Sequence, residues 1–373
     1  MLTKEGCQLR QQRLSQRLAE KNIDAILLSH PLEIYYFTGM LLPQLPAPYP
    51  ICLFMETGGP SWLVAHTIVD DPCIDETLIY PWNVGYTMSP DLETQMNRVV
   101  ALRLQNTGGT KRLGYQADYQ TLQLTTTFSR AMPGLDWLAV DPLLNDLQKC
   151  KDPDEIELIR QSIRADLAAY SAARKAIAPN INELEVLGAA QQAACLEVGE
   201  KIFHDGDYSC NAMGGFARNR KCQAGELYVI DAWSIYHGYW ADLCRTFAVS
   251  EPTDIQQSIF DHLKSFHQLV PNYLRPGQDG TELFLAMDAH IRQHPSLADI
   301  GLVHHAGHNV GLRAHQMPDL NLERGGTLAV GNVVSIEPGA YIPAARAGVR
   351  LENMYLITAD GVENLSDYPM ELT

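Results

Sequence analysis

The chain has 373 residues, more than one ordinary core accommodates, so two domains are expected. Its 46% hydrophobic and 19% charged residues match a soluble globular protein, and 44 acidic against 28 basic residues leave a net charge of −16, which opposes nucleic acid and anionic membrane surfaces as partners. No apolar run approaches the roughly 20 residues of a membrane span, MLTKEGCQLRQQRL holds no signal-peptide core, and the scattered cysteines lack a Cys-x-x-Cys pair; reduced thiols and a cytoplasmic location are expected.

Leu14 and Leu18, one turn apart, with Arg10, Arg13 and Arg17 on another face, predict a surface helix over Glu5–Lys21. Asp24–Leu28 follows as a buried strand, then the run PLEIYYFTGM. Further strand candidates are Ile51–Met55, Trp62–Ala65, Arg112–Tyr115 and Trp137–Val140, with helices over Pro90–Leu104 and Asp118–Ala131. This alternation predicts an α/β domain over residues 1–150. A boundary falls at Asp146–Asp154, where Asp152, Pro153 and Glu155 supply an N-cap, a proline at the first helical position and the reciprocal glutamate of a capping box. Ile156, Ile159, Ile163 and Leu167 then share one face, so a long amphipathic helix opens a second domain, residues 151–373. Helix Leu184–Val198 precedes HDGDYSCNAMGGFARNRKCQAGE, whose glycines indicate loop and close backbone approach. Two more helices, Ile255–Tyr273 and Thr281–His294, follow.

The stretch LYVIDAWSIYHGYWADLCRTF carries the first chemistry. Runs Leu227–Ser234 and Tyr239–Ala248 flank His237-Gly238, a hairpin signature, and each contributes one aspartate from an apolar context. Folded about Tyr236 and His237, Asp231 and Asp242 become cross-strand neighbours. Two such carboxylates repel unless a proton or a cation lies between them. Glu337 and Glu352 repeat the geometry about Ala344 and Ala345, and HHAGHNVGLRAHQ, with His304, His305, His308 and His315, lies between the pairs. Four carboxylates and an imidazole suffice for two oxygen-preferring metals, hence a dinuclear hydrolytic site.

In this order and context these residues resemble the M24 metallopeptidases, which include methionine aminopeptidase, aminopeptidase P and prolidase. Asp231, Asp242-x-x-Arg245-Thr246, His308 in a Gly-His-x-x-Gly-Leu context, Glu337-Pro-Gly and Glu352 fill the family's ligand positions. PLEIYYFTGM is similar to the N-terminal domain of the aminopeptidase P, prolidase and creatinase branch. The resemblance implies an α/β creatinase-like N-terminal domain and an α+β C-terminal domain of the pita-bread fold. It further implies two divalent ions, Mn, Co, Zn or Fe, with Asp231 on one, His308 and Glu337 on the other, and Asp242 and Glu352 bridging. Glu337 is the implied proton acceptor, His315 a donor to the tetrahedral intermediate, and His304 a lining residue of the substrate pocket. Arg350 matches an arginine near the metals, with orientation of the ligand carboxylates as an equal alternative. His305 and His237 are read as structural. A short peptide substrate and a homodimer are also implied.

Departures from the family pattern accompany the matches. Met213-Gly214-Gly215-Phe216 stands where relatives carry an active-site histidine, and none occurs from Tyr208 to Asp231. Trp233 replaces the glycine of Asp-x-Gly, Cys244 a threonine, Asn309 a glycine and Gln316 a glutamate. The leading expectation is a metal-dependent exopeptidase for Xaa-Pro bonds. A catalytically impaired binding protein of this fold, or a hydrolase with an altered substrate, is the alternative; a metal-free C–N hydrolase resembling creatinase is weaker, because creatinase lacks the acidic set.

Overall fold

In the computed structural model, which describes residues 1–42, 49–69 and 71–373, the chain separates after Leu147 into two units. The first is organised by the run AILL, β1 (Ala25–Leu28), whose four side chains are all buried, as a strand covered on both faces requires. Before it lies α1 (Lys4–Glu20), capped by Thr3, whose hydroxyl accepts from Gly6 N. After it, PLEIYYFTGM contains α2 (Pro31–Thr38), a helix the sequence reading leaves unassigned although His30 caps it and Pro31 opens it. The remaining strands are β2 (Cys52–Glu56), β3 (Ser61–Ala65), β4 (Glu76–Ile79), the small hairpin β5 (Asn83–Val84) and β6 (Thr87–Met88), β7 (Arg112–Tyr115) and β8 (Asp136–Ala139). Helices α3 (Leu92–Leu104), α4 (Leu122–Ala131) and α5 (Asp141–Leu147) complete the unit. The main sheet runs β4-β3-β2-β1-β7-β8, with β1 antiparallel to β2 and parallel to β7. Helix α4 begins four residues later than expected, because the Thr121 hydroxyl caps Leu124 N. Phe54, Trp62 and Phe128 stack in the core between sheet and helices.

The second unit, Gln148–Thr373, opens with α6 (Pro153–Ala176), which carries the expected Asp152–Glu155 capping box. It packs against α7 (Glu183–Val198), itself capped by Asn182. Next come β9 (Phe203–Asp207), β10 (Leu227–Tyr236), β11 (Tyr239–Trp240) and β12 (Leu243–Ala248). The glycine-dotted segment therefore starts as a strand. Gly206 in β9 lies so close to β10 that a Cβ there would sit 2.2 Å from the Asp231 carbonyl oxygen, which fits its sequence signal of close approach. Helices α8 (Asp254–Phe266), α9 (Val270–Tyr273) and α10 (Gly280–Ile291) follow. The single helix expected over Ile255–Tyr273 breaks after Phe266, since Pro271 lacks an N–H and its ring clashes with a continuing turn.

The last strands are β13 (His308–Asn309), β14 (Gln316–Asp319), β15 (Val333–Ile336), β16 (Gly339–Ala340), β17 (Val349–Arg350), β18 (Asn353–Ile357) and β19 (Val362–Asn364). They form the sheet β14-β13-β15-β18-β19 and the ladder β16·β17. Helices α8 and α10 cover this half through a core that includes Ile259, Phe260, Leu263, Met287, Val334 and Ile336. Two features join the halves of the unit: Cys244 and Glu352 form an isolated bridge, and Thr246 Oγ1 donates to Arg350 O at 2.9 Å. The strands that carry the candidate ligands thereby meet edge to edge.

Candidate metal centre

The turn His237-Gly238, with φ of 46° and 82°, joins β10 to β11 as the hairpin expected. Helix α6 fixes it in place. Ser162 Oγ donates to Tyr239 O and accepts from Tyr236 N, and Tyr170 OH donates to Leu243 O and accepts from Ala232 N. The register differs from the sequence expectation. Asp231 stands opposite Cys244, not Asp242, and Ala232 opposite Leu243, so the two aspartates share a face as diagonal neighbours. Symmetry about Tyr236 and His237 misses this because the real turn is centred one residue later. On the other side of β10, the residue directly across from Asp231 is Asp207 on β9.

The second pair behaves as expected. Ile336 pairs with Asn353 and Gly339 with Arg350, so the same register carries Glu337 opposite Glu352. Strand β13 presents His308, whose Nε2 lies 3.5 Å from Asp242 Oδ2 and 3.9 Å from Glu337 Oε1. Asp231, Asp242, His308, Glu337 and Glu352 all line one cavity of about 490 Å³, together with His304, His305, His315, Arg350, Trp233 and Trp240. Three subsets place one donor atom each within 4.8 Å of one another: Asp231, Asp242 and Glu352; His305, His308 and Glu337; Asp242, His308 and His315.

Electrostatics give this cluster its meaning. Burial, compounded by the charges of Asp231 and Glu337, pushes Asp242 well above the usual carboxylate range, and burial with Asp242 and Glu337 does the same to Glu352. Asp231 is pushed up to about 7 by burial even though Arg350 opposes the rise. Burial also raises Glu337, but the His305 hydrogen bond and the charges of His305, His304 and His308 outweigh it and bring it down to about 2. His308 is lowered to about 3, first by burial, and thus presents a neutral ring. Asp231 Oδ1 is buried without a hydrogen-bond partner. Crowded, oxygen-rich donors with one orphaned carboxylate oxygen and a neutral imidazole fit hard or borderline divalent ions.

Arg350 touches Asp231 directly, Nη2 to Oδ2 at 2.5 Å, and also donates to Tyr341 OH at 2.9 Å. His304 Nε2 meets Tyr341 OH at 3.2 Å, and the His315 ring stacks on His308 at 3.7 Å. His305, read as structural, is instead in the cavity, its Nδ1 3.0 Å from Glu337 Oε1; its adjacency to His304 gave no sign of that. His237 pairs with Glu200 at 2.8 Å. Asp207, Met213 and Trp240 also line the cavity and were not anticipated.

Three of the departures have local hydrogen-bond partners. Asn309 is fully buried and saturated: Lys151 Nζ and Val333 N donate to its Oδ1, and its Nδ2 donates to Lys149 O and Met317 O. Cys244 Sγ reaches Arg350 O at 3.5 Å, within a sulfur donor's range. Gln316 Nε2 donates to Gln148 Oε1 at 3.2 Å.

The family model for metallopeptidase family M24 matches residues 157–359, and that for the creatinase/prolidase N-terminal domain matches residues 10–149. The chain belongs to metallopeptidase family M24. Over 371 residues it is 26% identical to the Xaa-Pro dipeptidase of Pyrococcus furiosus, covering 97% of this chain and 99% of that one. It is 30% identical to the Xaa-Pro dipeptidase of Pyrococcus horikoshii over 241 residues, 62% of this chain and 67% of that one. Among solved structures, an Xaa-Pro dipeptidase from Bacillus anthracis superposes with a TM-score of 0.77 at 22% identity over 98% of this chain and 99% of that one. The M24 metallopeptidase thus has a creatinase-type N-terminal domain followed by a pita-bread domain, as the residues suggested.

Proposed function

We propose that this chain is an exopeptidase that hydrolyses Xaa-Pro bonds with two divalent ions held by Asp231, Asp242, His308, Glu337 and Glu352. The convergence of those five side chains on one cavity carries the reading, and the full-length likeness to an Xaa-Pro dipeptidase supports it. Such ions, when bound, polarise a peptide carbonyl and make water acidic enough to attack it near neutral pH. The chain's own groups do the rest. Glu337, held ionised beside His305, accepts the proton of the attacking water. His315, at the exposed side of the cluster, offers an N–H donor to the oxyanion that develops, and His304, engaged with His305 O and Tyr341 OH, lines the pocket. Arg350 holds Asp231 in orientation. The cavity volume suits a peptide of a few residues. Manganese among the metals and a homodimer, which rest on family resemblance, complete the reading together with a cytoplasmic location; among the described residues no helix is long and apolar enough to cross a membrane.

The test is hydrolysis of Xaa-Pro dipeptides and tripeptides, with proline-free controls, by protein reconstituted with Mn, Co or Zn. Proline-dependent cleavage that Glu337→Ala abolishes is the expected result. Stoichiometric metal with no cleavage of any peptide would instead place the chain among binding proteins of this fold.

A further inference from the structure

Five carboxylates line the cavity, and only four belong to the ligand set; the fifth is Asp207. It is directly opposite Asp231 in the β9·β10 ladder, so both side chains leave the sheet on the same face. Arg350 sits between them, Nη2 at 2.5 Å from Asp231 Oδ2 and 3.1 Å from Asp207 Oδ2. One guanidinium therefore serves two anions. Asp207 belongs to none of the three close donor groups, and its side chain keeps 27% of its surface exposed. Its other oxygen accepts from Gly215 N at 2.8 Å, and a Cβ on Gly214 would lie 2.4 Å from Oδ2, so a glycine loop is folded tightly onto this carboxylate. The same loop places Met213 in the cavity wall. Asp207 is thus a fixed, half-neutralised carboxylate on the wall of the cavity beside Asp231, with lone pairs left for a cationic donor.

We propose that Asp207 accepts the α-ammonium group of the substrate and makes the site selective for peptides with a free amino terminus. Asp207 shares the Arg350 guanidinium with Asp231, so its negative charge is only partly offset and stays available to an ammonium group. A charge-assisted hydrogen bond in a partly dehydrated site corresponds to on the order of 10- to 100-fold in affinity. This assignment rests on the peptidase reading but concerns the amine end of the ligand, not the residue after the cleaved bond.

The decisive experiment is calorimetric titration of the metal-loaded, full-length protein with a ketomethylene analogue of Ala-Pro, which cannot be hydrolysed, against the same compound without its amino group. The wild type should bind the amine compound about 10- to 100-fold more tightly. Asp207→Asn should bring the two affinities together by weakening only the amine compound, and Asp207→Glu should keep part of the preference. Equal affinities in the wild type, an undiminished preference in Asp207→Asn, or equal weakening of both compounds would overturn the assignment; the last would leave Asp207 as a positioning residue for Arg350 and the loop. The wild-type comparison stands even if a variant does not fold. An Ala-Ala ketomethylene pair separates the two proposals: amine preference without proline preference sinks the Xaa-Pro reading alone.

Discussion

Glu337 stands in a ring of imidazoles, with His305 at 3.0 Å and His304 at 3.8 Å. These neighbours hold its carboxyl below the usual range, at about 2, and on the proposed mechanism removing that charge removes the proton acceptor. Glu337→Gln should lower kcat by about 10²- to 10⁴-fold, with circular dichroism unchanged; a variant within a few-fold of the wild type would assign the proton to another group. His305→Ala removes the contact that holds Glu337 in place and should cost on the order of 10-fold in kcat, measurable against the same peptides. At this scale the sequence picked out five candidate ligands that share one cavity and was poor about their neighbours. Asp231, Asp242, His308, Glu337 and Glu352 stand out because an acid in an apolar strand is expensive to bury alone. His305 and Asp207 do not, because a histidine beside other histidines and an aspartate in a glycine-rich segment look like ordinary surface residues.

At the scale of elements, the site depends on the seam between β12 and the strands near Glu352. Arg245, fully buried, donates to Cys244 O, Glu352 O, Asn353 Oδ1 and Tyr368 O. Arg245→Met would strand those acceptors without water, and a loss of about 3–5 kcal/mol is expected, read by urea denaturation, together with weaker metal retention. At the end of α8, His267 Nδ1 meets Tyr355 OH at 2.8 Å and Nε2 meets Leu351 O at 3.2 Å. Burial lowers this imidazole to about 3. Its folded pKa lies below the unfolded value, so the unfolded chain binds the extra proton first. The stabilising contribution is complete above about pH 6.5 and is lost as pH falls toward 3. His267→Gln should flatten the fall in melting temperature across that window; an unchanged slope would show that other groups set it. Helix ends were legible from caps such as Asp152 and Asn182, which are local chemistry. The register of β10 was not, since one residue of turn placement decides which side chains oppose.

For the molecule as a whole, crowding of the carboxylates predicts a stability that rises with bound cations. Metal at 100 times its Kd should stabilise the fold by about 2.7 kcal/mol, and a chelator should reverse the gain. Asp242→Asn tests the sign. Burial and neighbouring charges already disfavour an anion at Asp242, so in chelator the variant should melt higher than the wild type. With metal present it should melt lower, having lost a ligand. A variant less stable than the wild type in both conditions would mean that Asp242 matters for packing and not for charge.

Composition, caps and the placing of acids inside apolar runs determined the two-unit α/β and α+β architecture and the identity of the candidate ligands, because these are properties of short segments. The tertiary structure alone decided that Asp231 and Asp242 are diagonal, that Asp207 is the residue across from Asp231, that Arg350 bridges the two, and that His305 enters the cavity. Each of those facts is a pairing between strands or loops distant in sequence, fixed by sheet register and by the packing of α6 and α8, and no local pattern encodes it.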